Sequence, residues 1–162
     1  MSDVREIPAE ATHLAAAAML ALRPRWSDRD ALVEVIDTQL RPSGYRLIGV
    51  FPDSADGSGE SGGESGGESA GSGEAVAVAG FREVHALAWG HYLYVDDVST
   101  LPQARGNGYA DQLLTWLEAE ARRLGCEGLH LDSGVTADRA PAHRLYMRHK
   151  LRISAHHFEK NL

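Results

Sequence analysis

Val98-Ser99-Thr100-Leu101-Pro102-Gln103-Ala104-Arg105-Gly106-Asn107-Gly108-Tyr109-Ala110 is the stretch on which the reading turns. It starts as a Val/Tyr-rich run ends, passes a Pro/Gly turn and leads into an amphipathic segment. Gly106 and Gly108 have no Cβ, so the backbone can come close to a ligand there. The first N–H groups of a helix lack intrahelical partners. With the helix dipole they make a phosphate site, to which Arg105 adds a fixed positive charge. No Gly-Lys-Ser/Thr follows, which excludes a nucleotide triphosphatase P-loop. A dinucleotide fingerprint fails as well, because Asp111 stands where its third glycine belongs. A lone Gly-x-Gly also serves as a plain structural turn, and spacing alone leaves that alternative open.

Working outward, His91 to Ser99 reads as a strand before the turn, and Gly108 to Leu124 as the clearest helix. Ala110, Leu113, Leu114, Leu117, Ala121 and Leu124 fall on one helical stripe, and Gly125 suits a C-terminal cap. A short strand at Gly128 to Asp132 follows, then a helix from Asp138 to about His149 with Pro141 in its first turn. Ile153 to Lys160 has strand character. Upstream, Val4 to Ile7 reads as a strand and Ala9 to Leu22 as a helix that Arg23-Pro24 ends. Ser27 and Asp30 resemble a capping box for a second helix, with Leu32, Val33, Ile36 and Leu40 on one face. Pro42-Ser43-Gly44 stops that helix. Tyr45 to Phe51 and Ala75 to Arg82 read as a hairpin. The order predicts a mixed α/β domain.

Between the hairpin strands, residues 53–74 hold six acids, no base and repeated Gly-Gly-Glu-Ser. A segment with no apolar side chain larger than Ala cannot offset its ordering entropy, so a flexible Gly/Ser/Glu-rich loop is expected at 53–74. The net charge is −7, and removing those six acids leaves −1. From Arg139 onward there are six Arg/Lys against Glu159 alone, without the dense basic stripe of a nucleic-acid binder. The 162 residues suit a single domain spanning 1–162. The longest apolar run, Leu14 to Leu22, is about half of the ~20 residues a membrane helix needs. The acidic N-terminus does not read as a signal peptide, and the single Cys126 excludes an internal disulfide. The expectation is a cytoplasmic enzyme or binding domain with neither nucleic acid nor membrane as partner and no metal. His156 and His157 would face opposite sides of a strand, which argues against joint metal binding.

Arg105-x-x-Gly108-x-Ala110 resembles the signature turn of the GNAT superfamily of acyl-CoA-dependent N-acetyltransferases, Arg/Gln-x-x-Gly-x-Gly/Ala. Gln103-x-x-Gly106-x-Gly108 fits the same pattern; the first register is preferred because it puts Gly108 at the helix start. Tyr92 to Val98, Leu131 to Val135, Ala142 to Tyr146 and the His-His-Phe-Glu-Lys ending extend the resemblance over about 80 residues. It implies a twisted, mostly antiparallel sheet of six or seven strands with about four helices, splayed between the fourth and fifth strands. Acetyl-CoA would be the co-substrate. Its pantetheine arm would lie along Val98, Ser99 and Thr100, and its pyrophosphate on the N–H groups of Arg105, Gly106, Asn107, Gly108, Tyr109 and Ala110. Two departures stand out. Arg139 replaces the family's common Asn and could reach a CoA phosphate, and Lys150-Leu151 replaces Gly-Phe.

The resemblance makes Tyr146 the general acid that protonates the CoA thiolate, with a primary amine attacking the thioester directly and an N–H near Val98 holding the oxyanion. The base stays open among Glu83, Asp96, Asp97, His85 and water, with Glu83 carried as the candidate. Asp132 is expected to brace the turn after its strand, and Cys126 to sit in the core. Acceptor identity stays open, and so does a homodimer. A non-catalytic acyl-CoA-binding or interaction module of the same fold is the alternative, and a different nucleotide-binding domain a third.

Overall fold

Five strands hydrogen-bond in chain order: β1 (Ser2–Ile7), β2 (Arg46–Pro52), β3 (Ala77–Ala86), β4 (Gly90–Thr100) and β5 (Gly128–Leu131). The computed structural model describes residues 2–52 and 73–162. The expected flexible loop therefore lies, except for Gly73 and Glu74, outside the described residues. Its two flanking strands, β2 and β3, pair antiparallel as the hairpin reading requires. The first four strands are all antiparallel, and β5 joins β4 in parallel.

Each face of the sheet carries its own core. Side chains alternate along a strand, so Leu47 and Val78 face one core while Ile48, Val50, Ala79 and Phe81 face the other. The first core is closed by a 3-10 turn (Ala9–Ala15) running into α1 (Ala16–Leu22), and by α2 (Arg29–Val35). The second is closed by α3 (Tyr109–Leu124) and α4 (Ala140–Arg148). Leu113, Leu114 and Leu117 are fully buried, each worth roughly 1.5–3 kcal/mol relative to exposure. Burial on both faces explains why β2 and β3 read as near-continuous apolar runs.

Among the described residues four α-helices match the expected number, and several other expectations change. The sheet has five strands among the described residues, against the six or seven expected. Residues 153–160 form no strand. Ile153 and Phe158 are 76% and 90% exposed, so no burial rewards an extended ladder there. The first helix is 3-10 over its front half, and the second passes from α2 into a π-turn (Ile36–Leu40) and a 3-10 turn (Arg41–Ser43) that Gly44 ends at φ +94°. Asp28, rather than Ser27, caps α2: its Oδ1 accepts from the Ala31 N–H at 2.8 Å.

One irregularity shapes the rest. Opposite β3, Gly80 pairs with Asp97 and Phe81 with Val95, so Asp96 is an extra residue in β4. Such a bulge bends its strand and sharpens its twist. The β4–β5 pairing covers only Tyr92 to Val95 against Gly128 to Leu131. Past Val95, β4 runs on for Asp96 to Thr100 while β5 has ended. The resemblance implied a splay between the fourth and fifth strands; what the structure shows there is that their pairing stops after Val95 and Leu131.

Candidate functional site

A cleft of about 260 Å³ opens where β4 and β5 part. Val95 to Val98 form one wall, Leu131 to Gly134 the other; Leu22 and Arg23 close one side, Arg139 and Tyr146 the opposite one. Residues from six separate elements and turns therefore meet at the bulge.

The glycine turn lies at the far end of β4. Leu101 leads into a 3-10 turn (Pro102–Ala104), and α3 begins at Tyr109. Gly106 and Gly108 have φ of +84° and +76°, the left-handed region where a side chain is strained. A Cβ built on either would meet nothing within 4 Å, so the space in front of the turn is open. The first α3 ladder bond runs from the Gln112 N–H to the Gly108 carbonyl at 3.1 Å. The N–H groups of Tyr109, Ala110 and Asp111 precede it and point out of the helix end. Asp111 would oppose an anion here, but Arg148 (3.0 and 3.1 Å) and His149 (3.2 Å) draw its carboxylate toward the end of α4. Asn107 turns inward, its amide donating to the Ala104 carbonyl at 3.0 Å. Arg105 is exposed, its Nε 3.4 Å from the Thr100 carbonyl. Open space, unpaired N–H groups and an arginine fit an anionic diphosphate.

Of the strand residues, Ser99 is buried and its hydroxyl donates to the Ala18 carbonyl at 2.6 Å, which ties β4 to α1. Val98 and Thr100 lie on the stretch of β4 that β5 does not reach. Tyr146 is 8% exposed on α4 and faces the cleft. Burial pushes its phenol up, while the neighbouring Arg139 guanidinium pulls the other way. The two expectations on α4 and its preceding turn are thus neighbours. Glu83 is not brought to the cleft. It lies toward the β3–β4 turn, 2.6 Å from His91 Nε2, where His85 stacks on His91 at 4.1 Å. Cys126 is half-buried, its Sγ 3.5 Å from the same His91 nitrogen, and burial pushes its thiol up.

The wall opposite Tyr146 escaped the sequence reading as a unit. Tyr45, 4% exposed, donates its hydroxyl to Asp97 Oδ2 at 2.7 Å. It reaches there only because residue 80 is glycine: a Cβ would lie 1.7 Å from the hydroxyl oxygen. Burial and then Asp97 raise that phenol well above the ordinary tyrosine value, so it remains a donor. Arg23 Nε donates to Asp97 Oδ1 at 2.7 Å, and its Nη2 to the Asp96 carbonyl at 3.1 Å. The Asp96 carboxylate is taken by Arg82 through two bonds of 2.7 and 2.8 Å. Across the cleft Asp132 accepts from the Tyr94 hydroxyl and lies 3.3 Å from His157 Nδ1. His143 Nε2 lies 2.9 Å from the Gly134 carbonyl, holding the turn after β5.

Among the described residues, a mixed five-strand sheet covered by four α-helices, with a glycine turn at the head of α3, defines an α/β fold shared with solved N-acetyltransferases. The chain belongs to the GNAT acetyltransferase family: the acetyltransferase (GNAT) family model matches residues 60–150, more than half of it. An aminoalkylphosphonate N-acetyltransferase of Salmonella typhimurium is 37% identical over 68 residues, 42% of this chain and 43% of that protein. A streptothricin acetyltransferase of Streptomyces lavendulae is 37% identical over 111 residues, 66% of this chain and 58% of that protein. The matches thus span about half the length of these relatives. A ribosomal-protein-alanine N-acetyltransferase from Brucella melitensis biovar Abortus 2308 superposes with TM-score 0.74 over 100% of both chains at 15% identity. An aminoglycoside N-acetyltransferase in complex with CoA gives 0.74 over 100% of this chain and 95% of that one, at 13% identity. At those identities the likeness is one of fold. No helix among the described residues is long and apolar enough to cross a membrane.

Proposed function

We propose that this chain transfers acetyl from acetyl-CoA to a primary amine by direct attack. The observation that carries the reading is the pairing of two features on one strand: the anion-shaped turn at its end and the unpaired cleft at its bulge, with the Tyr146 phenol in that cleft. The N–H groups from Arg105 to Ala110 hold the pyrophosphate, with Arg105 as an added charge. The β4 edge at Val98, Ser99 and Thr100 offers the pantetheine arm a strand-like partner. A backbone N–H near Val98 stabilises charge developing on the thioester oxygen.

Tyr146 protonates the thiolate as the carbon–sulfur bond breaks. Its raised phenol keeps the proton available at neutral pH. Arg139, beside it, steadies the phenolate this leaves. Glu83 is engaged with His91 away from the cleft, so the base is drawn from the other acids considered or from water. Relatives named for an aminoalkylphosphonate and for streptothricin support a small amine acceptor.

The test is titration calorimetry with acetyl-CoA beside ATP and NAD, followed by amine-dependent CoA release. Acetyl-CoA binds and the two controls do not. Tyr146→Phe keeps that affinity and loses about 10²–10⁴-fold in kcat, the usual worth of a positioned acid. A Tyr146→Phe variant as fast as wild type removes the acid role. Acetyl-CoA binding without turnover on any amine would instead favour the non-catalytic acyl-CoA-binding module.

A further inference from the structure

The wall made by Arg23, Tyr45 and Asp97 is built like a ligand site with its ligand supplied by the chain. We propose that Asp97 Oδ1 and the Asp96 carbonyl form the seat for a cationic group of the acceptor, and that Arg23 fills this seat until the acceptor displaces it. The identity of the ligand as acceptor rests on the acetyl-transfer reading; the seat itself rests on geometry.

The two sides of the contact differ in how firmly they are held. Asp97 is fixed. Its Oδ2 is gripped by the buried Tyr45 hydroxyl, and its side chain is only 13% exposed. The bulge and the Arg82 pair hold the Asp96 carbonyl next to it. Arg23 is the loose partner. It follows the last residue of α1, precedes Pro24 and has a side chain 47% exposed. If it swings out, a carboxylate oxygen and a carbonyl oxygen remain, both on the cleft wall. Two acceptors and a net negative charge match a primary ammonium, which has three donors. The other two cleft-lining acids are engaged elsewhere, Asp96 with Arg82 and Asp132 with Tyr94 and His157. What sets the Asp97 seat apart is that a nearly buried carboxylate oxygen and a backbone carbonyl converge on one exposed side chain.

Displacement is cheap. An ion pair with an exposed partner is worth about 0.2–1 kcal/mol. By the occupancy rule for a blocked site, it weakens apparent acceptor binding by about two- to sixfold. The cost falls on every ligand entering the seat and on no ligand that lacks a cation.

The probes are 1,4-diaminobutane and the uncharged 1,4-butanediol, titrated into wild type, Arg23→Ala, Arg23→Lys and Asp97→Asn with and without CoA. The diamine binds Arg23→Ala about two- to sixfold more tightly than wild type. Arg23→Lys, which keeps a competing cation, stays near wild type. Asp97→Asn binds the diamine at least about tenfold more weakly, the loss of a charged hydrogen bond. The diol binds none of them. Equal or weaker diamine binding by Arg23→Ala overturns the proposal, as does equal binding of the diol. Asp97 also supports Tyr45, so if Asp97→Asn fails to fold, the Arg23→Ala and Arg23→Lys comparison decides alone. Acetyl-CoA is titrated into the same wild-type sample. Failure there, with the diamine pattern intact, sinks acetyl transfer and spares the cationic seat; the reverse result sinks the seat alone.

Discussion

At the residue scale, the cleft depends on an absence. Gly80 lets the Tyr45 ring pass across β3 to Asp97, and a methyl group there would overlap its hydroxyl and Cζ, at 1.7 and 2.2 Å. Gly80→Ala therefore destabilises the protein by about 1–3 kcal/mol, the range for overpacking a filled site. Urea unfolding measures this; an unchanged midpoint would mean that Tyr45 has room to move aside. Nothing in the local sequence announces the relation. Tyr45 and Asp97 are 52 positions apart, and Asp97 looked like one of several acids near a strand. Glu83 looked equivalent to it. What separates them is the packing: Asp97 faces α1 and the cleft, while Glu83 sits toward the hairpin turn with His91.

At the element scale, the turn before α3 was legible because its chemistry is local. Two glycines at positive φ, a proline and an amphipathic stripe lie within one short window. Gly108→Ala tests whether the turn serves more than the chain path. A side chain in the left-handed region costs about 1–2 kcal/mol, a drop of roughly 2–8 °C in Tm at this chain length. The added methyl also points into open space where a diphosphate would approach. Acetyl-CoA affinity then falls by at least about tenfold, measured by calorimetry on the folded variant. Wild-type affinity in Gly108→Ala would make the turn structural. Other element boundaries were less legible. Ser27 and Asp28 are both good caps, and the choice fell to Asp28, whose backbone is extended at φ −155°. The strand pattern at 153–160 is real as a pattern, yet a strand also needs a partner edge and a surface to cover its side chains. The fold provides neither for Ile153 or Phe158.

For the molecule as a whole, β1, β2 and α3 are joined by one charged network. Arg46 donates to Glu6 and Glu120, each at 2.7 Å, and Arg123 donates to Glu120 at 2.6 Å. The two guanidinium groups hold the Glu120 carboxyl down to about 2, with Arg123 the larger influence. The folded carboxyl is more acidic than the unfolded one, so its contribution is fully present above the ordinary value of 4.5 and is lost as pH falls toward 2. That contribution is on the order of 2 kcal/mol. Glu120→Gln makes stability flatter across that acid window, as urea midpoints at stepped pH will show. An unchanged slope would mean that the carboxyl is unperturbed. The chain by itself determined most of the element order, the apolar stripe of α3 and the glycine turn, and its family resemblance singled out Tyr146. Periodicity, turn chemistry and a motif within a dozen residues are properties of neighbouring positions. Tertiary structure alone decided the rest: the bulge at Asp96, the residue at which the β4–β5 pairing stops, which acid faces the cleft, and which arginine sits on it. Those depend on strand register and on side chains meeting across the sheet. A one-residue shift in register redirects every side chain beyond it, and no local pattern records that shift.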